Sequence, residues 1–242
     1  IEAFKQLEFR TVPKIEYIFT NSRNSQDRIK KFLKRDSEIL YPGVDASRFS
    51  SRPAERYFFY PSRIAPEKEL EFAIEAFKLF SKREAGWKLV IAGGLSRRPE
   101  HQAYLKRIRS LCTPEISIET NISEERLLDL YSRCSSVLYT PVNEDFGIVP
   151  LEAMASGKPC IARNEGGPRE TVIDGTDGYL VGSVWEMSEK MSLISKNPDK
   201  AERMGKAGRT KVGRDFTWDR FLKRFSEKTA EIVDSAGSAK KQ

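Results

Sequence analysis

Tyr57-Phe58-Phe59-Tyr60-Pro61-Ser62-Arg63-Ile64-Ala65-Pro66-Glu67-Lys68 opens the part of the sequence that decides the fold. Its first five residues are an apolar run of strand length. Over residues 67–81 the apolar side chains Leu70, Ala73, Ile74, Phe77 and Phe80 then recur at helical spacing. A second apolar run, Trp87-Lys88-Leu89-Val90-Ile91-Ala92, follows and is stopped by Gly93-Gly94. The alternation continues downstream. Helices are expected over residues 99–111, from Ser123 onward, over 147–156 and after the Gly166-Gly167-Pro168 turn. Strands are expected over 116–119, 136–140, 159–162 and 178–181. Ser123 is a good N-cap, although Arg126 stands where a full capping box has an acid.

Strands that are apolar throughout, each followed by a helix, mean a parallel sheet covered on both faces. The predicted class is therefore α/β, a doubly wound, Rossmann-like domain over residues 57–216. Its ligand site should lie at the C-terminal ends of the strands. Residues 1–44 read differently, with a strand over 15–20, a basic helix over 22–34 and a strand over 38–41 ended by Pro42-Gly43. They look like the tail of a separate α/β domain, with residues 45–56 as linker. A last helix, capped by Thr217 and apolar at Trp218, Phe221, Leu222 and Phe225, occupies 217–234, and 235–242 reads as a disordered tail.

The chain has 242 residues, 39% of them hydrophobic and 10% aromatic, enough for a sizeable core and too apolar for disorder. No apolar run approaches the ~20 residues of a membrane span, and no signal peptide opens the chain at Ile1. The 42 Lys and Arg against 35 Asp and Glu leave a net charge of +7, which suits phosphorylated small molecules, an anionic membrane or a solvated surface. Nucleic acid is not expected, because aromatics do not interleave with the charges and no binding motif is present. Cys112, Cys134 and Cys160 form no C-x-x-C pair; they read as small buried apolar residues in a reducing, cytoplasmic setting. The single histidine, His101, sits in a polar run and reads as a surface residue.

Two stretches carry the chemistry. Arg63 falls at the end of the first strand and Lys68 in what reads as the first turn of the next helix. A cation there is misplaced against the helix dipole unless both cations face an anion; Glu67 and Glu69 could instead simply neutralise it. The second stretch is Asn143-Glu144-Asp145-Phe146-Gly147-Ile148-Val149-Pro150-Leu151-Glu152-Ala153-Met154. Gly147 lets a ligand approach the backbone, and the free N–H groups of Gly147, Ile148 and Val149 can cradle a phosphate. Glu152, one turn further on, can accept hydrogen bonds from two ribose hydroxyls, or be an ordinary helix acid.

Glu144 and Glu152 form an E-x7-E motif around Phe146-Gly147-Ile148, and Arg63 and Lys68 form an R-x4-K pair about 80 residues earlier. Leu89 to Gly94, Gly166-Gly167-Pro168-Arg169-Glu170-Thr171 and Tyr41-Pro42-Gly43-Val44-Asp45 complete the order. In this order and spacing the chain resembles glycosyltransferase family 4, the group 1 retaining glycosyltransferases of GT-B architecture, from about Tyr17 to Val233. The resemblance implies a nucleoside-diphosphate sugar as donor substrate, no cofactor and no metal. Arg63 and Lys68 would bind the diphosphate, Glu144 would contact the transferred sugar, and these three would be the catalytic residues. Glu152 would hold the ribose and Ile122 would lie beside the base. Gly94 and the backbone of Phe146, Gly147, Ile148 and Val149 would complete the donor site. Residues 143–168 look most like members that use GDP-mannose, with a UDP-sugar as the alternative donor.

The resemblance also implies a second domain of comparable size that carries the acceptor site. The expectation is thus the donor-binding part of a hexosyltransferase acting on a glycan or lipid-linked acceptor, inactive or weakly active alone. A non-catalytic sugar-nucleotide-binding module or half of a split enzyme is the alternative. Arg23, Arg28, Lys30, Lys31, Lys34 and Arg35, with Ile29, Phe32 and Leu33 between them, suggest a basic amphipathic helix for the cytosolic face of an anionic membrane. The plainer reading is a helix packed on its own sheet with a solvated face. The apolar face of the last helix is expected to be exposed or covered by self-association.

Overall fold

The structure is a computed structural model that describes residues 10–239, and side chains as far as residue 235. Two short parallel strands, β1 (Phe19–Thr20) and β2 (Glu38–Ile39), flank the helix α1 (Arg23–Arg28). Ser22 caps α1, its Oγ accepting the Ser25 N–H at 3.0 Å. Only two residues of each expected strand find a ladder partner, Phe19 opposite Glu38 and Thr20 opposite Ile39. The helix expected over 22–34 is α-helical to Arg28, then widens into a π turn over Ile29–Leu33 that Lys34 ends at φ 53°.

The larger sheet follows. In chain order it holds β3 (Tyr57–Pro61), α2 (Leu70–Ser81), β4 (Lys88–Gly93), α3 (Pro99–Leu111), β5 (Ile116–Thr120) and α4 (Glu124–Arg133). Then come β6 (Ser136–Tyr139), α5 (Ile148–Ala155), β7 (Cys160–Arg163), α6 (Pro168–Thr171) and β8 (Gly178–Val181). Three helices close the chain: α7 (Val184–Lys196), α8 (Pro198–Asp215) and α9 (Trp218–Ala239). The six strands are parallel in the order β5-β4-β3-β6-β7-β8. The chain therefore builds outward from β3 on one side, returns, and builds outward on the other. The loops after β3 and β6 part at that switch, where such sheets open a crevice.

Successive strand residues face opposite sides, and both sides are apolar, as the uniform runs required. Phe58 and Tyr60 join Leu89, Ile91 and the α2 residues Ile74, Phe77 and Phe80 on one face, with Met187 and Met191 of α7. Phe59 joins Val90, Val137, Cys160, Leu130, Tyr131 and Leu151 on the other. Phe58 stacks on Trp87 at 5.1 Å and meets Phe80 edge-on at 5.2 Å. Truncating one of these buried rings costs about 3–5 kcal/mol.

Three expectations need correction. His101 is buried rather than exposed, because it lies on the inward face of α3 and its Nδ1 meets Ser96 Oγ at 2.8 Å. Cys134 and Cys160 are fully buried, but Cys112 follows the end of α3 and stays half-buried. Burial pushes the Cys134 thiol up to about 12. The helix expected from residue 67 begins only at Leu70. Before it Pro66–Lys68 makes a 3-10 turn and Glu69 adopts φ 47°, so Lys68 precedes the helix instead of occupying its first turn.

At the C-terminus α9 starts as expected, Thr217 Oγ1 accepting the Arg220 N–H at 3.2 Å. It runs to Ala239, so residues 235–239 are helical rather than a disordered tail, and 240–242 lie outside the described residues. The helix crosses back to the first strands. Phe225 meets Phe19 edge-on at 5.8 Å, and Lys228 pairs with Glu38 at 3.3 Å. At its start a Cβ on Gly43 would come within 2.3 Å of the Trp218 nitrogen.

Candidate functional site at the sheet switch point

The loops after β3 and β6 bring Lys68 and Glu144 together, Nζ to Oε2 at 2.8 Å, although 76 residues separate them. Two hydroxyls from the strand ends fix the Lys68 side. Tyr60 Oη donates to the Lys68 carbonyl at 2.6 Å, and Thr140 Oγ1 donates to the Glu69 carbonyl at 2.9 Å. Complete burial pushes the Tyr60 hydroxyl up, so it stays a donor. Glu69, turned outward by its left-handed backbone, meets Arg163 at the end of β7 at 2.5 Å.

Glu144 is held from behind by its own carbonyl. That oxygen accepts the Gly167 N–H at 2.9 Å and Asn24 Nδ2 at 3.1 Å. The Gly166-Gly167 turn presses so closely that a Cβ at Gly166 would lie 2.5 Å from the Glu144 oxygen, and one at Gly167 2.1 Å from the Phe146 oxygen. Only glycine permits this approach of backbone to backbone.

Gly147 stands at the N-cap of α5 with φ 76°, where an added Cβ would come 3.1 Å from the Tyr139 hydroxyl. Ile148 is exposed and Val149 half-buried at the open end of the helix. Phe146 points the other way, into the core, stacked on Tyr41 at 5.8 Å and tilted on Phe216 at 6.2 Å. Only its backbone can serve a ligand.

Glu152 lies one turn along α5, where Tyr131 donates its hydroxyl to Oε2 at 2.6 Å. Burial pushes the Glu152 carboxyl above its ordinary range; the Tyr131 hydrogen bond and the Arg48 charge oppose that rise. Arg63 stands apart from Lys68. It is exposed, pairs with Glu67 at 3.3 Å, and runs beside Gly94, where a Cβ would be 3.9 Å from Arg63 Cγ. Gly94 is tied down by the Ile64 N–H at 2.8 Å. Ile122 is half-buried just ahead of α4, next to Asn121, whose Oδ1 accepts the Leu95 N–H at 2.9 Å.

The sequence-predicted residues thus sit on the loops and helix starts at one end of the sheet. Lys68 and Glu144 touch, while Arg63 does not reach them. Sequence reasoning missed Tyr60, Thr140, Tyr131, Asn24 and Glu170. The first three carried a usable signal, a hydroxyl inside or beside a buried apolar element, which needs a partner. Glu170 stood in the stretch 166–171 without an assigned role and Asn24 carried no signal, since their partners are 146 and 120 residues away.

Residues 45–211 match the family model described as glycosyl transferases group 1. The chain belongs to this family. The alpha-1,3/1,6-mannosyltransferase ALG2 of Dictyostelium discoideum is 33% identical, aligned over 79% of this chain and 54% of its own length. The human enzyme of that name is 30% identical over 94% of this chain and 61% of its own. The chain therefore spans about half the length of these group 1 relatives. Among solved structures, Anabaena HepE in complex with UDP and glucose superposes with a TM-score of 0.84 at 18% identity, over 93% of this chain and 66% of that one. Sucrose-phosphate synthase from Thermosynechococcus elongatus gives 0.84 at 21% identity, over 97% and 63%. The likeness is one of fold, and the doubly wound parallel sheet is that of a GT-B glycosyltransferase.

Proposed function

We propose that this chain is the donor-binding part of a transferase that moves mannose from GDP-mannose to a glycan or lipid-linked acceptor, with retention and without a metal ion. The observation that carries the reading is the Lys68–Glu144 contact at the switch point of the sheet. It sets a cation with two N–H groups to spare beside a carboxylate with a second oxygen, next to the open start of α5. A diphosphate gains charge as its bond to the sugar breaks, and a fixed ammonium with helix N–H groups stabilises that charge where water is excluded. Lys68 would do this directly. Arg63, exposed on a loop, would swing from Glu67 onto the phosphates. Glu144 would accept sugar hydroxyls through the lone pairs that Lys68 and the Tyr139 hydroxyl leave free, and Glu152 would take the ribose beside Tyr131. In this reading the acceptor is held by the other half of the two-domain architecture, of which β1, α1 and β2 are the closing piece.

The names of the Dictyostelium and human relatives support mannose as the sugar. A UDP-linked donor is the alternative. Titration of GDP-mannose, UDP-glucose, GDP and UDP into the chain in EDTA tests the reading. GDP-mannose should bind more tightly than UDP-glucose. Lys68→Ala should weaken it about tenfold to a hundredfold, the loss of a charge-assisted bond to phosphate. Absence of binding to all four, or binding only when divalent ions are restored, overturns it.

Two further partners enter the proposal. Phe32 is 60% exposed among Lys30, Lys31 and Lys34, which supports an anionic membrane surface on the cytosolic side as a docking place. Among the described residues no helix is long and apolar enough to cross a membrane. Trp218, Leu222 and Phe225 remain exposed on α9, which supports self-association.

A further inference from the structure

The helix α1 belongs to the first, smaller part of the chain, yet it touches the Glu144 loop at two points and is anchored to α6. Its first two N–H groups are taken by a side chain from the other part: Arg23 N donates to Glu170 Oε2 at 2.9 Å and Asn24 N to Glu170 Oε1 at 3.1 Å. Tyr41 Oη donates to the same Oε2 at 2.8 Å, and the Ser22 Oγ cap accepts the third N–H of the helix, that of Ser25. Both carboxylate oxygens of Glu170 are thus in use, and α1 cannot rotate without breaking them. From this fixed start Asn24 reaches the Glu144 carbonyl. Arg28, one turn on along the same face, pairs with Asp145 at 2.5 Å.

We infer that Asn24 is a positioning residue for Glu144, and that α1 with its Glu170 anchor sets how the transferred sugar, rather than the nucleotide, is held. The inference rests on the donor role proposed for Glu144. The geometry supports it in three ways. Asn24 and Gly167 both donate to the Glu144 carbonyl, which fixes the peptide plane after Glu144 and so the backbone position from which its carboxylate extends. The backbone on the Lys68 side is held separately, by Tyr60 and Thr140, so α1 reaches the phosphate cation only through the Glu144 carboxylate that Lys68 touches. The other polar contact of α1, Gln26 Nε2 to the Ser37 carbonyl at 2.6 Å, faces away from the loop and towards β2.

The test is titration of GDP and GDP-mannose into the wild-type chain and its Asn24→Ala, Asn24→Asp and Gln26→Ala variants, with melting curves to confirm folding. In Asn24→Ala the affinity for GDP should stay within about twofold, while the extra affinity contributed by mannose should fall about fivefold, the worth of one ordinary hydrogen bond. Asn24→Asp should lose more, because a carboxylate then faces a carbonyl oxygen. Gln26→Ala, which loosens α1 elsewhere, should leave the mannose contribution in place. Equal loss of GDP and GDP-mannose, an equal effect of Gln26→Ala, or no change in Asn24→Ala overturns the inference alone. If the wild type binds neither ligand, the donor reading fails and takes the inference with it. Should Asn24→Ala not fold, Asn24→Ser replaces it, and the same ratio decides.

Discussion

Glu152 is the residue at which stability and the proposed function pull apart. Its carboxyl is raised above its ordinary value of 4.5, first by burial. A carboxyl raised on folding holds its proton more tightly in the native state, so ionising it opposes folding. That opposition is absent below the ordinary value, grows as pH rises from it towards the raised one, and is complete above the raised one. Glu152→Gln keeps an acceptor for Tyr131 and removes the charge. It should be at least as stable as wild type at pH 7, with the difference closing below pH 4.5, in urea midpoints measured at both ends. It should also bind GDP-mannose about tenfold more weakly, because a neutral acceptor holds ribose hydroxyls less strongly than a charged one. A variant both less stable at neutral pH and unchanged in binding contradicts both halves. Tyr131 explains why the carboxylate is tolerated there: its own hydroxyl is pushed well up by burial and the Glu152 charge, so it remains a donor.

Among the elements, the turn before α6 couples most closely to the site. Gly167 has an ordinary backbone conformation, so a side chain there is excluded by space alone, its Cβ falling 2.1 Å from the Phe146 oxygen. Gly167→Ala must push the turn off the β6 loop. It is expected to cost about 1–3 kcal/mol, read from the denaturant midpoint, and to lower donor affinity in parallel because Glu144 moves with the turn. Loss of stability with full donor affinity separates the turn from the site. The same pairing of loops explains where sequence reasoning misplaced Lys68. Helical spacing at Leu70, Ala73, Ile74 and Phe77 is real, but periodicity does not report where the first helical residue falls. Tyr60 and Thr140 bind the Lys68 and Glu69 carbonyls, and that diversion delays α2 to Leu70. His101 was misread for a related reason: the polar run before it leads into the inward face of α3, and a short window does not show which face is inward.

For the molecule as a whole, the net charge of +7 does not leave every cation free, since many are engaged internally. Of the basic segment near α1, Arg28 pairs with Asp145, Lys30 with Asp36 at 2.5 Å, and Arg35 with the carbonyls of Val12, Ile15 and Glu16. That is the plainer reading of a helix packed on its own protein, and it takes up three of the six cations. Lys31 instead lies over the exposed Phe32 ring at 5.3 Å, and Lys34 ends the turn beyond it. If these mark a membrane face, binding to vesicles containing anionic lipid should exceed binding to neutral vesicles, fall with salt, and drop in Phe32→Ser. Sedimentation with the two vesicle types reads this directly; indifference to lipid charge ends the membrane reading.

The strand and helix order, the parallel sheet and the end of the sheet that holds the site were all legible in the sequence. Uniform apolar runs alternating with helical spacing admit few other arrangements, and both signals are local. The E-x7-E and R-x4-K spacings placed Glu144, Glu152, Arg63 and Lys68 on loops and helix starts for the same reason. Which of them touch was settled by folding. Lys68 meets Glu144 and Arg63 does not, because Tyr60 and Thr140 fix one loop while Asn24 and Gly167 fix the other. The longest of these contacts join residues 71, 76 and 120 positions apart. They depend on side-chain direction and backbone approach after the sheet has closed, and no window along the chain contains both partners.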